Sequence, residues 1–196
     1  MLEWVHMEIK YLGEKAVFLK GKKESVLVNP DDGFNGKSGT RIILYTNENG
    51  GRATLEENRV FINGEGEYEV GGVEVSGVDG EDGNTVYRLV IDGFKVVIVG
   101  ELKQELSEKK LSKIDETDIL IVSLMKEEAL GYKVFNSWAK EWGANYLIPL
   151  SEDKKVIDEF LDKSDDEGLE ASESLKVEKA EDLPDGLEIK LLKVAK

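Results

Sequence analysis

Residues 62–78, Ile62-Asn63-Gly64-Glu65-Gly66-Glu67-Tyr68-Glu69-Val70-Gly71-Gly72-Val73-Glu74-Val75-Ser76-Gly77-Val78, decide how this chain folds. Tyr68 and Val70, then Val73 and Val75, alternate with polar residues in steps of two. That period marks a strand with one buried face. The alternation changes phase at Gly71-Gly72, which predicts a bulge or tight turn there. The glycines do not form a phosphate loop. No Gly-Lys-Ser/Thr ending follows them, and the segment leads into a strand.

Outward from this stretch, the first half is rich in strand signals. Met7 to Leu12, Ala16 to Leu19, Ser25 to Asn29, Arg41 to Thr46 and Arg59 to Asn63 are short β-prone runs, punctuated by Gly13, by Gly21-Lys22-Lys23 and by Pro30-Asp31-Asp32-Gly33. Thr85 to Ile91 and Lys95 to Val99 flank Asp92-Gly93, a strong hairpin signal. The second half alternates helix and strand. Ser107 is placed to cap a short helix carrying Leu111 and Ile114. Asp118 to Leu124 is a nearly continuous apolar run, as expected of a strand covered on both faces. Val134, Phe135, Trp138, Ala139 and Trp142 recur at helical spacing before Gly143, and core packing explains the tryptophans better than a cofactor stack. Tyr146 to Leu150 reads as another buried strand. Ser151 is placed to cap a helix with Val156, Ile157, Phe160 and Leu161 on one face. Residues 162–174 read as an exposed acidic loop, and Leu175 to Val177 with Leu187 to Val194 as a closing β-pair. A β-rich half followed by an α/β half predicts a layered α+β domain spanning residues 1–196, with residues 1–6 as an N-terminal extension.

Composition narrows the chemistry. The chain of 196 residues has no cysteine, which removes thiolate nucleophiles and sulfur-ligated metal sites and fits a reducing compartment. The N-terminus lacks a basic, apolar leader pattern, so the expected location is cytoplasmic. No run is apolar enough to span a membrane. The net charge of −15 argues against nucleic-acid and anionic-membrane partners. The acid is densest in residues 151–196, where it reads as a solubilising surface.

The opening stretch also carries a resemblance. It is similar to the "GPGEYEV-GV-I-GI" segment of bacterial metallo-β-lactamase-fold hydrolases of the lactonase-like branch: Gly64, Gly66, Glu67, Tyr68, Glu69 and Val70 match, with Glu65 in place of the proline. The stretch GNTVYRLVIDGFKVVIVGEL (residues 83–102) resembles the family's "G-NT-Y---DG-----LGDL". The start from Met7, the run around Ile119 and YLIPL (residues 146–150) resemble further family segments in the same order. The resemblance implies an αββα sandwich, two mixed sheets packed face to face with helices outside. It also implies one or two metal ions, commonly zinc or manganese, held on loops at one edge and supplying hydroxide at neutral pH.

The ligand positions implied by the resemblance are all substituted. In the family loop T-HxHxDH, Thr46 is kept, but the ligands become Asn47, Asn49, Gly51 and Arg52. The His before "NTVY" is missing. The bridging Asp becomes Glu101, the last His becomes Ser151, "GH" becomes Gly13-Glu14 and "DP" becomes Asn29-Pro30. Amides are poor zinc ligands, glycine has no side chain, and arginine brings a permanent positive charge. The only histidine, His6, lies before the first matched strand. Ser151 and Thr46 are hydroxyls with no histidine to serve as base. Glu48, Asp79, Glu81, Asp82 and Glu101 could form an oxygen site for calcium or magnesium, although Asp79-Gly80-Glu81-Asp82-Gly83 also reads as an ordinary polar turn. The expected protein is a pseudoenzyme retained for binding or a structural role, with an unknown protein or small molecule as partner. Alternatives are a hydrolase with an altered or relocated site and a small-molecule binder using the vacated cleft. Because the resemblance makes positions 52 and 101 converge, an Arg52–Glu101 ion pair is expected in place of the metal, against the alternative of Arg52 in solvent.

Overall fold

The computed structural model describes residues 7–31, 40–47, 59–81, 83–124, 130–164, 166 and 168–195. In the first sheet are β1 (Met7–Gly13), β2 (Ala16–Lys20), β3 (Ser25–Val28), β4 (Ile42–Tyr45) and β5 (Val60–Asn63). In the second are β6 (Gly66–Val70), β7 (Val73–Glu81), β8 (Asn84–Ile91), β9 (Phe94–Val99), β10 (Ile119–Ser123) and β11 (Tyr146–Leu150). The late strands are divided between them: β12 (Leu175–Val177) lies beside β1, and β13 (Glu188–Ile189) beside β11. The orders are β12-β1-β2-β3-β4-β5 and β13-β11-β10-β9-β8-β7-β6. Both sheets are mixed. β3, β4 and β5 run parallel in the first sheet, as do β9, β10, β11 and β13 in the second, and the remaining pairs are antiparallel.

Alternation decides which face of each strand is dry. Met7, Ile9 and Tyr11 of β1 and Val17 and Leu19 of β2 point into one core, where they meet Val75, Leu89, Val96, Ile98, Ile121 and Ile148 of the opposite sheet. Burying each such aliphatic side chain is worth about 1.5–3 kcal/mol, so this inter-sheet layer is the main source of stability. The other face of the second sheet, with Val97, Val99, Leu120 and Val122, is covered by helices α2 (Tyr132–Trp142) and α3 (Lys154–Leu161), which contribute Phe135, Trp138, Trp142 and Phe160. The helical spacing read from the sequence is the spacing that buries those rings. Gly143 ends α2 in the left-handed region at φ 74°, where a glycine carries no Cβ penalty. No helix among the described residues is long and apolar enough to cross a membrane.

The phase change at Gly71-Gly72 is a hairpin between β6 and β7, in which Val70 faces Val73. The Asp92-Gly93 turn joins β8 to β9 with positive φ at both residues, as a tight hairpin needs. Three local expectations are corrected. Leu175–Val177 and the last strand do not pair with each other, because each finds an existing sheet edge in a different sheet. Ser107 sits at the N-cap of the short helix Glu108–Leu111 without a side-chain cap bond, and Ile114 packs from beyond the helix end. Ser151 does not cap α3; Asp153 does, accepting from Lys155 N at 3.0 Å.

The crossing from the first sheet to the second takes only Gly64 and Glu65, between β5 and β6. Tyr87 of β8 pins it: its buried hydroxyl accepts from Gly64 N at 2.9 Å and donates to Tyr45 O at 3.1 Å. Burial pushes the Tyr87 phenol upward, as it does Tyr11 and Tyr146. A raised phenol pKa means the folded chain holds a proton that the unfolded chain releases from about pH 10. Their contribution to stability is therefore complete below about pH 10 and is lost as pH rises through the folded values. Urea unfolding across alkaline pH should show the midpoint falling above about pH 10. Tyr87→Phe, which leaves Gly64 N without its acceptor, should cost about 1–3 kcal/mol at neutral pH and flatten part of that fall.

Candidate functional site

Parallel strands bring their C-terminal ends to the same level, and loops leaving those ends converge. In the second sheet Val99 lies level with Val122, and Ser123 with Leu150, so Gly100-Glu101, Leu124 and Ser151 follow one another along the rim. In the first sheet Val28 is level with Leu44, which places Asn29 and Thr46 at the end of their strands. Thr85 N donates to Thr46 O at 2.8 Å and Asn47 bridges to Asn84, so the two sheets are tied at this end.

Asn29 makes the tightest knot of the rim. It is buried, has a left-handed φ of 49°, and its carboxamide clamps Thr46. Oδ1 accepts from Thr46 N at 2.8 Å, and Nδ2 donates to Thr46 Oγ1 at 2.9 Å. Thr46 is thus occupied as a structural hydroxyl. Gly100 completes the packing: a Cβ there would stand 2.5 Å from Thr46 Oγ1 and 2.7 Å from its Cβ.

The β1–β2 turn reaches over the same rim. Gly13 and Glu14 both have positive φ, and Glu14 N donates to Glu152 Oε1 at 2.8 Å. Tyr11 Oη donates to Glu14 O at 2.8 Å. The turn delivers Lys15, whose Nζ lies 3.0 Å from Glu101 Oε2, with the two side chains 27% and 34% exposed. Glu14, Lys15, Glu101, Ser151, Glu152 and Lys154 border a cleft of about 720 Å³. The Ser151 hydroxyl accepts from Asp153 N at 3.2 Å.

Of the positions where the resemblance implies metal ligands, Glu101 and Ser151 line this cleft and Asn47 lies on the adjoining bridge. Asn49, Gly51 and Arg52 lie outside the described residues, and with them the Arg52 half of the expected pair. The partner that the structure places on Glu101 is Lys15, a residue the sequence reading passed over beside Glu14. For the oxygen-ligated alternative, Asp79 is engaged by Lys110 at 3.0 Å, while Glu48, Asp82 and the Glu81 side chain lie outside the described residues. Among the described residues no group of three or more His, Cys, Asp or Glu side chains could hold a metal ion.

Among the described residues the donor set does not fit a zinc or manganese centre. At the described positions where the resemblance implies ligands, the rim offers one carboxylate, Glu101, already bonded to an ammonium, an amide, Asn47, and a hydroxyl, Ser151, and the neighbouring Glu14, Glu152 and Asp153 do not gather with Glu101 into a group that could hold a metal ion. A divalent ion would have to displace Lys15 from Glu101 against charge repulsion and would find no imidazole among the described residues.

The rim knot is testable through stability. Asn29→Ala leaves the buried Thr46 N without an acceptor, and Gly100→Ala drives a methyl into Thr46. Each should cost about 1–3 kcal/mol in urea unfolding. Because both act through Thr46, the double variant should lose less than the sum of the two.

A family model described as a beta-lactamase superfamily domain matches residues 8–151. No curated protein matches the chain significantly in sequence. Among solved structures, a metallo-beta-lactamase superfamily protein from Thermotoga maritima shares the fold at a TM-score of 0.76 and 21% identity, over 95% of this chain and 98% of that one. Igni18, a metallo hydrolase from Ignicoccus hospitalis, matches at 0.62 and 12% identity over 89% and 99% of the two chains. YhfI from Bacillus subtilis, a metallo-beta-lactamase fold protein, matches at 0.60 and 10% identity over 94% and 96%. With the family's sequence pattern across residues 8–151 and two mixed sheets packed face to face, the chain belongs to the metallo-β-lactamase superfamily.

Proposed function

We propose that this chain is a non-catalytic member of the superfamily, retained for binding, with the cleft at the strand ends as its binding site. The observation that carries the reading is the Lys15 ammonium on the Glu101 carboxylate. At the position where the resemblance implies a bridging metal ligand, the charge of the carboxylate is met from within the chain. The remaining hydroxyls lack a histidine base among the described residues. Among the described residues there is no histidine to serve Ser151, the chain's one histidine being His6, and Thr46 is locked by Asn29. The cleft of about 720 Å³, bordered by ionic side chains, has room for a small polar molecule or a partner's side chains and supports binding as the retained role.

Metal analysis and calorimetry test the proposal together. Purified protein should carry no stoichiometric divalent metal, its melting temperature should be indifferent to EDTA and to added zinc, and β-lactam, lactone and phosphodiester substrates should not turn over. A hydrolysis rate that chelator abolishes and metal restores would overturn it. Lys15→Ala should change stability by less than about 1 kcal/mol, because the pair is partly solvated and a screened ion pair holds little. A loss of several kcal/mol would mean that the pair is a structural strut and remove the argument that it stands in for a metal.

A further inference from the structure

The strand β6 ends the second sheet, and among the described residues it pairs on one side only, with β7. An edge strand presents a row of open N–H and C=O groups and is a template for another strand. The faces of this edge differ sharply. Cross-strand partners share a face, so Tyr68 and Val70 lie with Val75 and Val73 on the core side, and Glu67 and Glu69 lie with Ser76 and Glu74 on the outer side. On the core side Tyr68 is 38% exposed, so the inter-sheet apolar layer runs out to solvent there. On the outer side Glu69 stands directly opposite Glu74, a like-charge pair of the kind that destabilises a sheet. Neither carboxylate has an ion-pair partner among the described residues; Glu69 accepts only from Gly72 N, at 3.0 Å. A groove of about 580 Å³ runs along this face. Of the two cations bordering it, Arg88 is held by Asp115 at 2.7 Å, and the other is Lys113.

We propose that the β6 edge is a docking site for an extended segment of a partner protein in which Lys or Arg alternates with apolar residues. Added beside β6, such a strand takes up the open backbone groups. Its apolar residues cover Tyr68 and Val70, and its cations lie against Glu67 and Glu69 and relieve the opposition of Glu69 and Glu74. A second copy of this chain is a poor occupant of the same edge, because symmetric pairing brings Glu67 and Glu69 of one protomer against those of the other. The chain's net charge of −15 acts in the same sense. This site is independent of the cleft at the strand ends.

A short capped peptide of alternating Lys and Val tests the proposal, with two controls: one in which Pro replaces Val at equal charge, and one of alternating Glu and Val. Binding is followed by NMR together with amide hydrogen exchange. The Lys/Val peptide should slow exchange at residues 66–70 and bind more weakly as salt rises. Glu67→Lys with Glu69→Lys should weaken it by about tenfold or more, as attractive cross-strand pairs become repulsive. The milder Glu67→Gln with Glu69→Gln should fall between, and circular dichroism confirms that both variants stay folded. Equal binding of the Pro peptide, unchanged exchange at β6, or no effect of the charge reversal would overturn the proposal. So would a dimer of the unliganded chain with β6 already protected.

Discussion

Two sheets with aliphatic inner faces can exclude water only by closing on each other, and most of the architecture follows from that closure. The inner faces run from Met7 and Ile9 through Leu44 on one side and from Val75 through Ile148 on the other, all of them fully or almost fully buried. The chain must therefore pass from one sheet to the other without leaving a polar backbone group dry and unpaired. It does so at Gly64 and Glu65, where the Tyr87 hydroxyl supplies the missing partner. The parallel strands needed to complete each sheet then finish at one level. Their loops gather on one rim, and the rim is where a site can form without disturbing the core.

That separation means that substitutions at the rim leave the fold intact. Asn47, Glu101 and Ser151 sit just past strand ends, not within the apolar layers. Substituting them removes no aliphatic burial, worth about 1.5–3 kcal/mol for each large side chain. Residues that look like site residues by position can instead be structural. Asn29 and Thr46 spend their polar atoms on each other, and Gly100 is small because Thr46 leaves no room for more. The rim thus contains a rigid part that belongs to the fold and a solvated part, Lys15 and Glu101, that belongs to the cleft.

Much of the fold was legible because its signals are local. Alternation at Tyr68, Val70, Val73 and Val75, and the turns at Gly71-Gly72 and Asp92-Gly93, need no knowledge of distant residues. The pairing of β12 and β13 was not legible, since which open edge receives a short late strand is decided by the assembled sheets. The cap of α3 was misread because Ser151 and Asp153 are both good capping residues, and only the path of the chain leaving β11 selects the second. Of the site, the sequence pointed to Glu101 and Ser151, which line the cleft. Lys15 was not legible, because it meets Glu101 across 86 residues and a lysine after a turn carries no pattern of its own. Its only sequence signal was its place beside the substituted Gly13-Glu14 turn.

Charge gives the rim a direction. Lys15 is engaged by Glu101 and Lys154 by Asp158, so neither ammonium of the cleft is without a carboxylate. Glu152 accepts from the Glu14 backbone N–H, a bond that leaves its negative charge in place. Glu14, Glu101, Glu152 and Asp153 together outnumber the lysines on this wall. An anion approaching it works against the local field and against the overall charge of −15. A bound metal would reverse that field, as a divalent ion is the largest charge in any site it enters. Across the described residues the rim carries the sign of its carboxylates, a field that favours an approaching group that is neutral or positively charged on the side that faces Glu14 and Glu152.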